Sequence, residues 1–133
     1  NRHRWNYPDL LERLDDPTTM QSRVLGALSE RIKLRAQQPA FHPNATNYTL
    51  TLDRRIFGLW RQSLDRHQSI FALHNVSAEA VEIPGSQINL IEEEHWVDLI
   101  TGEGIAPGIE ALTMAPYQCR WITNHHKHAT AQA

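Results

Sequence analysis

The run Ser69-Ile70-Phe71-Ala72-Leu73-His74-Asn75-Val76-Ser77 constrains this chain more than any other stretch. It is the densest apolar segment outside one long helical pattern, and Asp65-Arg66-His67 precedes it as a turn signal. An apolar run this short, with β-branched and aromatic residues at its ends, suits a strand covered on both faces. It is therefore read as the central strand of a sheet, with the later segments wrapped around it.

The flanking segments keep the period of two. Tyr48, Leu50 and Leu52 alternate with Thr49, Thr51 and Asp53, which predicts a half-buried strand. Asp53-Arg54-Arg55 turns the chain into a partner strand over Ile56–Gln62, with Phe57 and Leu59 on one face and Ile56 and Trp60 on the other. Further strands are expected at Val81 and Ile83, at Ile88 and Leu90, from Trp96 to Ile100, over Ile109-Ala111-Thr113, and through Tyr117, Cys119 and Trp121. About six to eight short strands at spacings of roughly 8–14 residues, with turn chemistry between them, describe an antiparallel sandwich or barrel. No strand-helix alternation argues for a parallel sheet.

Before Pro39 the period is helical. Pro8 suits the first turn of a short helix carrying Leu10, Leu11 and Leu14, and Asp15-Asp16-Pro17 breaks and restarts the chain. Asp16 is the expected N-cap of an amphipathic helix of about five turns over roughly 17–37, whose stripe is Met20, Val24, Leu25, Leu28 and Ile32. One helix cannot bury its own stripe, so it needs a partner. The expected organisation is residues 1–43 as a helical region with its connector, 44–124 as an all-β domain, and 125–133 as a disordered polar tail.

The totals exclude classes rather than select one. A chain of 133 residues, 41% hydrophobic and 21% charged, holds one soluble domain's worth of core. Its net charge of -2 gives no electrostatic reason to expect nucleic acid, and no window approaches a membrane span. The start, Asn1-Arg2-His3-Arg4-Trp5, lacks the apolar core of a signal peptide and reads as the middle of a longer polypeptide. The single Cys119 fits a reducing, cytoplasmic setting.

No complete active site is visible. His125, His126 and His128 cluster in the tail without an element to fix them, so neither a metal nor another cofactor is expected. His74 reads as a hydrogen-bonded core or edge histidine, and His42, between two prolines, as a packing or interface residue. Glu92-Glu93-Glu94 could supply a carboxylate pair, but nothing apolar around them would split their pKa values, so a solvated loop is the expectation. Asn44-Ala45-Thr46, Asn47-Tyr48-Thr49 and Asn75-Val76-Ser77 match the glycosylation pattern and are discounted, the last because it ends the most buried strand. Trp5, Trp60, Trp96 and Trp121 could stack on sugar rings, although tryptophans at strand positions of a small sandwich are more often core.

Several motifs in order resemble the end of sucrose phosphorylases, a branch of the alpha-amylase family (glycoside hydrolase family thirteen). They are Asn1-Arg2-His3, the helix running into Leu34-Arg35, Pro39-Ala40-Phe41, Asn75-Val76-Ser77, the strand Trp96-Val97-Asp98-Leu99-Ile100 through Gly102, and Leu112 with Ala115-Pro116-Tyr117 and Trp121. The resemblance implies a non-catalytic, all-β C-terminal domain that supports a catalytic (β/α)8 barrel, preceded here by the barrel's terminal helix. It implies a parent that cleaves an alpha-glucoside with retention, phosphate or water receiving the glucosyl group. The Asp nucleophile, the Glu acid/base and the second Asp of such enzymes match no position here, so no catalytic residue is assigned and the chain alone is expected to be inactive. Arg2 and His3 are the weak candidates for positions near the acceptor side of the pocket. The implied partner is the parent's barrel; without it, the helix stripe at residues 20–32 is expected to drive homodimerisation or aggregation. The alternative from a different class is a stand-alone carbohydrate-binding or interaction module.

Overall fold

The computed structural model describes residues 2–91 and 94–124. The histidine-rich tail and the first two residues of the Glu92-Glu93-Glu94 run lie outside the described residues. The chain divides after Gln37 into a helical unit and a β unit.

In the helical unit, α1 spans Tyr7–Asp15 with Pro8 in its first turn, where a missing N–H costs nothing. The second helix, α2, spans Met20–Ala36. Its N-cap is Thr19, not Asp16: the Thr19 hydroxyl accepts from Ser22 N and is also bonded to the carbonyls of Arg13 and Asp16. The Asp16 carboxylate instead takes the N–H and the hydroxyl of Thr18 at 2.8 and 2.7 Å, which closes the turn between the helices and lowers its pKa. Neither helix contains a buried residue. Leu10 and Leu14 are half-buried, while Met20, Val24, Leu25, Leu28 and Ile32 are all at least half exposed. The helical unit has no core of its own.

The β unit is an antiparallel sandwich. Its strands are β1 (Thr46–Thr49), β2 (Ile56–Gln62), β3 (Ser69–Asn75), β4 (Val81–Pro84), β5 (Trp96–Asp98), β6 (Gly104–Ile105), β7 (Ala111–Met114) and β8 (Cys119–Thr123). Six form one sheet in the order β1-β2-β3-β8-β5-β6, and β4 pairs with β7 as a small second sheet. The densest apolar run is thus an inner strand, paired with β2 through Trp60 and Phe71 and with β8 through Phe71 and Ile122. Its inner face joins Ile56, Phe71, Leu73 and Ile122 to Val81, Ile83, Leu112 and Met114 of the small sheet. This is the expected fold class, an antiparallel β-sandwich preceded in the chain by two helices.

Three segments depart from the expected strands. The first strand lies at Thr46–Thr49, ahead of Leu50 and Leu52, which pack beside the core without joining a ladder. Ile88 and Leu90 are buried but follow a 3-10 turn at Gly85–Gln87 and lie in no strand. Gly104–Ile105, where no strand was expected, pairs with β5 as the sheet's last strand.

Candidate functional site

Three polar clusters hold the β unit together, and two coincide with the motifs that carried the family resemblance. Asn75 ends β3 and is 3% exposed. Its Nδ2 donates to the carbonyls of Glu79 at 2.7 Å, Ala115 at 2.9 Å and Met114 at 3.3 Å, while its Oδ1 accepts from the N–H and hydroxyl of Ser77. A short amide on a strand end can thereby clamp the β3–β4 turn onto the end of β7. With its Nδ2 hydrogens committed to carbonyls, Asn75 is a structural clamp and not a glycan acceptor.

Asp98 ends β5 and is fully buried. Its Oδ1 accepts from Ile100 N at 3.0 Å and Trp121 N at 3.2 Å, and its Oδ2 from Arg120 Nε at 3.1 Å. Arg120 then reaches Glu103 at 2.6 Å, so the buried carboxylate is met by a cation and two backbone N–H groups. The third cluster escaped the sequence reading. Gln68, 1% exposed, accepts from Ala40 N and donates to Gln38 and to the Thr123 hydroxyl. Together with Arg61, which donates to the carbonyls of Ala40 and His42, it fastens the 38–45 connector to the sheet. Glutamine spacings of this kind carry no signal in the sequence.

His74 is half-buried and faces Cys119 across the β3–β8 pair, Nδ1 to Sγ 3.2 Å, with Phe57 beside it. Burial lowers its pKa below the usual imidazole range. The pair fits a structural edge histidine, and among the described residues no carboxylate is bonded to it to orient it for nucleophilic chemistry. His42 is exposed and accepts a hydrogen bond at Nδ1 from Asn44 N. Glu94 is half-buried and bonded to Asn124, more engaged than a solvated loop residue.

Of the weak candidates, His3 lies edge-on to Trp5 at 4.7 Å between ring centroids, with the Arg13 guanidinium 5.6 Å from the same indole. His3 and Trp5 line an open cleft of the helical unit together with acidic Asp9 and Glu12. Arg2 is exposed and is not among the residues lining this cleft. The tryptophans divide. Trp96 and Trp121 are core, with Trp121 packed edge-on to Phe41; Trp5 is 43% exposed and Trp60 half-buried. Among the described residues no group of three His, Cys, Asp or Glu side chains could hold a metal ion, and no helix is long and apolar enough to cross a membrane.

No family model matches the chain. It is 31% identical over 127 residues to a glucosylglycerate phosphorylase of Allomeiothermus silvanus and 27% identical over 131 residues to one of Spirochaeta thermophila. Each match covers 92% of this chain but only 19% and 22% of the relative. The fold recurs in AmyP solved in complex with maltose (TM-score 0.62, 20% identity, 79% of this chain and 21% of that one). It recurs also in the trehalose-6-phosphate hydrolase of Bacillus licheniformis (TM-score 0.56, 20% identity, 84% and 19%). The resemblance to the C-terminal domain of alpha-amylase-family enzymes holds. The chain spans about a fifth of the length of the curated relatives it matches.

Proposed function

We propose that this chain is the non-catalytic C-terminal part of a longer cytoplasmic enzyme that moves an alpha-glucosyl group. In this reading residues 1–43 complete and leave a (β/α)8 barrel, with Arg2 and His3 nearest its acceptor side, and 44–124 form the domain that supports it. The observation that carries the reading is the coverage: nearly all of this chain matches about a fifth of each relative. The helical unit supports it independently, because α2 presents Met20, Val24, Leu25, Leu28 and Ile32 to solvent and buries nothing. Covering such a stripe would gain roughly 1 kcal/mol for each side chain that goes from half exposed to buried. The proposed occupant is the rest of the barrel.

That both curated relatives are glucosylglycerate phosphorylases supports a parent reaction other than that of sucrose phosphorylases. It is phosphate-dependent cleavage of an alpha-glucosylglycerate, with the glucosyl group passing to phosphate and configuration retained. Glucosylglycerate and inorganic phosphate, incubated with the full-length polypeptide from the source, should yield glucose 1-phosphate and glycerate. The 133-residue chain alone should yield neither. Turnover by the chain alone, or a full-length polypeptide with no glucosyl transfer, overturns the reading.

A further inference from the structure

Between β2 and β3 on one side and the segment after β4 on the other, with Leu50 and Trp96 at its margins, lies a cleft of about 320 Å³, at the lower end of the range for ligand pockets. Its walls are aromatic: Trp60, with the buried rings of Phe71 and Trp96 below. Trp60 is held in place by its cross-strand neighbour Tyr48, the two rings stacked at 5.4 Å with 11° between their planes. The polar groups at the rim are amides, Gln62 from β2 and the exposed Gln87 and Asn89 from the segment after β4. None of these amides, nor the Trp60 indole N–H, has a hydrogen-bond partner among the described residues. Among the described residues, no charged side chain lines the cleft.

We propose that this cleft binds a neutral sugar, a mono- or disaccharide with one ring lying against Trp60 and its hydroxyls meeting Gln62, Gln87 and Asn89. The composition of the lining chooses the occupant. With no cation or carboxylate among the described lining residues, a phosphate, nucleotide or ammonium group would find no charged partner there and would be desolvated without compensation. A wholly apolar occupant, such as a helix stripe or an acyl chain, would leave the rim amides without a partner in the cleft and so gain nothing from them. A pyranose satisfies both halves, since its C–H face is apolar and its edge is a ring of donors and acceptors. The Tyr48–Trp60 stack fixes the platform before binding, so little ordering cost falls on the complex. The inference concerns the β unit alone and is independent of the parent enzyme's reaction.

The test is a titration of the 133-residue chain with maltose, followed by NMR of the tryptophan indole and side-chain amide resonances, with 1-butanol as the apolar control. Maltose should shift the Trp60 indole and the Gln62, Gln87 and Asn89 amides with millimolar affinity. A double variant Q87A/N89A should bind about tenfold more weakly, two hydrogen bonds being removed. These positions are exposed, so the variant should retain the wild-type melting temperature. W60A should abolish binding, and Q87A/N89A decides the matter if W60A fails to fold. The proposal is overturned if maltose shifts none of these resonances at tens of millimolar, if Q87A/N89A binds undiminished, or if butanol alone fills the cleft. Shifts at these residues that depend on protein concentration without sugar would equally overturn it, marking the cleft as a contact between copies.

Discussion

Removing the Asp98 carboxylate should be among the most damaging single changes in the β unit. Asp98 is fully buried and accepts three hydrogen bonds, two from backbone N–H groups and one from Arg120, whose side chain is 7% exposed. In D98A the guanidinium loses its buried partner, and breaking such a pair from one side costs about 3–5 kcal/mol. The Trp121 and Ile100 amides lose their acceptor as well, adding up to about 1–3 kcal/mol where no water replaces it. A net loss of about 4 kcal/mol is expected, a large part of a typical 5–15 kcal/mol domain stability, and equivalent to roughly 20 °C in melting temperature for a unit of this size. The assay is urea unfolding of the 133-residue chain followed by the fluorescence of the core tryptophans. The mechanism makes a second claim. R120M removes the cation and releases Glu103, which is 63% exposed, to solvent, so D98A/R120M should be less damaged than the sum of the single changes by about 2 kcal/mol. Additive effects, or a D98A loss below about 1 kcal/mol, would refute the reasoning.

Other changes test other parts of the structure. N75A should lose about 2–3 kcal/mol, since three carbonyls and Ser77 lose their partner at a buried site. G85A should be comparably destabilising although Gly85 lies outside the core cluster: an added Cβ would fall 1.7 Å from the Ile109 carbonyl oxygen, and backbone must move to admit it. The His74 pKa is lowered in the folded state by burial, so its contribution is present above the unfolded value near 6.5 and is lost as pH falls through the folded value. Unfolding free energy measured from pH 7 to 5 should therefore decline, and H74F should flatten the decline. The chain alone should associate through α2, and L25E/L28E should return it to a monomer in light scattering after gel filtration; a wild-type chain that stays monomeric at high concentration would count against an adhesive stripe.

The sheet was legible where side-chain pattern and ladder coincide. Ile56–Gln62 and Ser69–Asn75 carry their burial in the same residues that pair, so period and apolar density found both. Ile88 and Leu90 show the opposite case. Both are buried, but the chain around them makes a 3-10 turn and no ladder, because alternating burial requires only a core on one side and not a neighbouring strand. Asp16 illustrates local competition: it has the right chemistry for a cap, but its carboxylate is taken by Thr18, and Thr19 caps the helix. The resemblance rested on Asn75 and Asp98 without giving their roles, which depend on backbone groups up to 40 residues away in sequence. The proposed sugar cleft had a partial signal, since Trp60 was weighed as a stacking residue. Gln62, Gln87 and Asn89 had none, because unremarkable amides become a rim only when the fold gathers them.

The central claim, that this chain is one part of a larger glucosyl-transferring enzyme, is tested most directly by the mass of the native gene product. An antibody raised against the chain would be used on denatured extract of the source cell. A single band roughly five times the 15.3 kDa of this chain is the result expected from its share of its relatives. A band at 15.3 kDa would contradict the claim and leave a self-sufficient domain whose function would have to rest on its own surface.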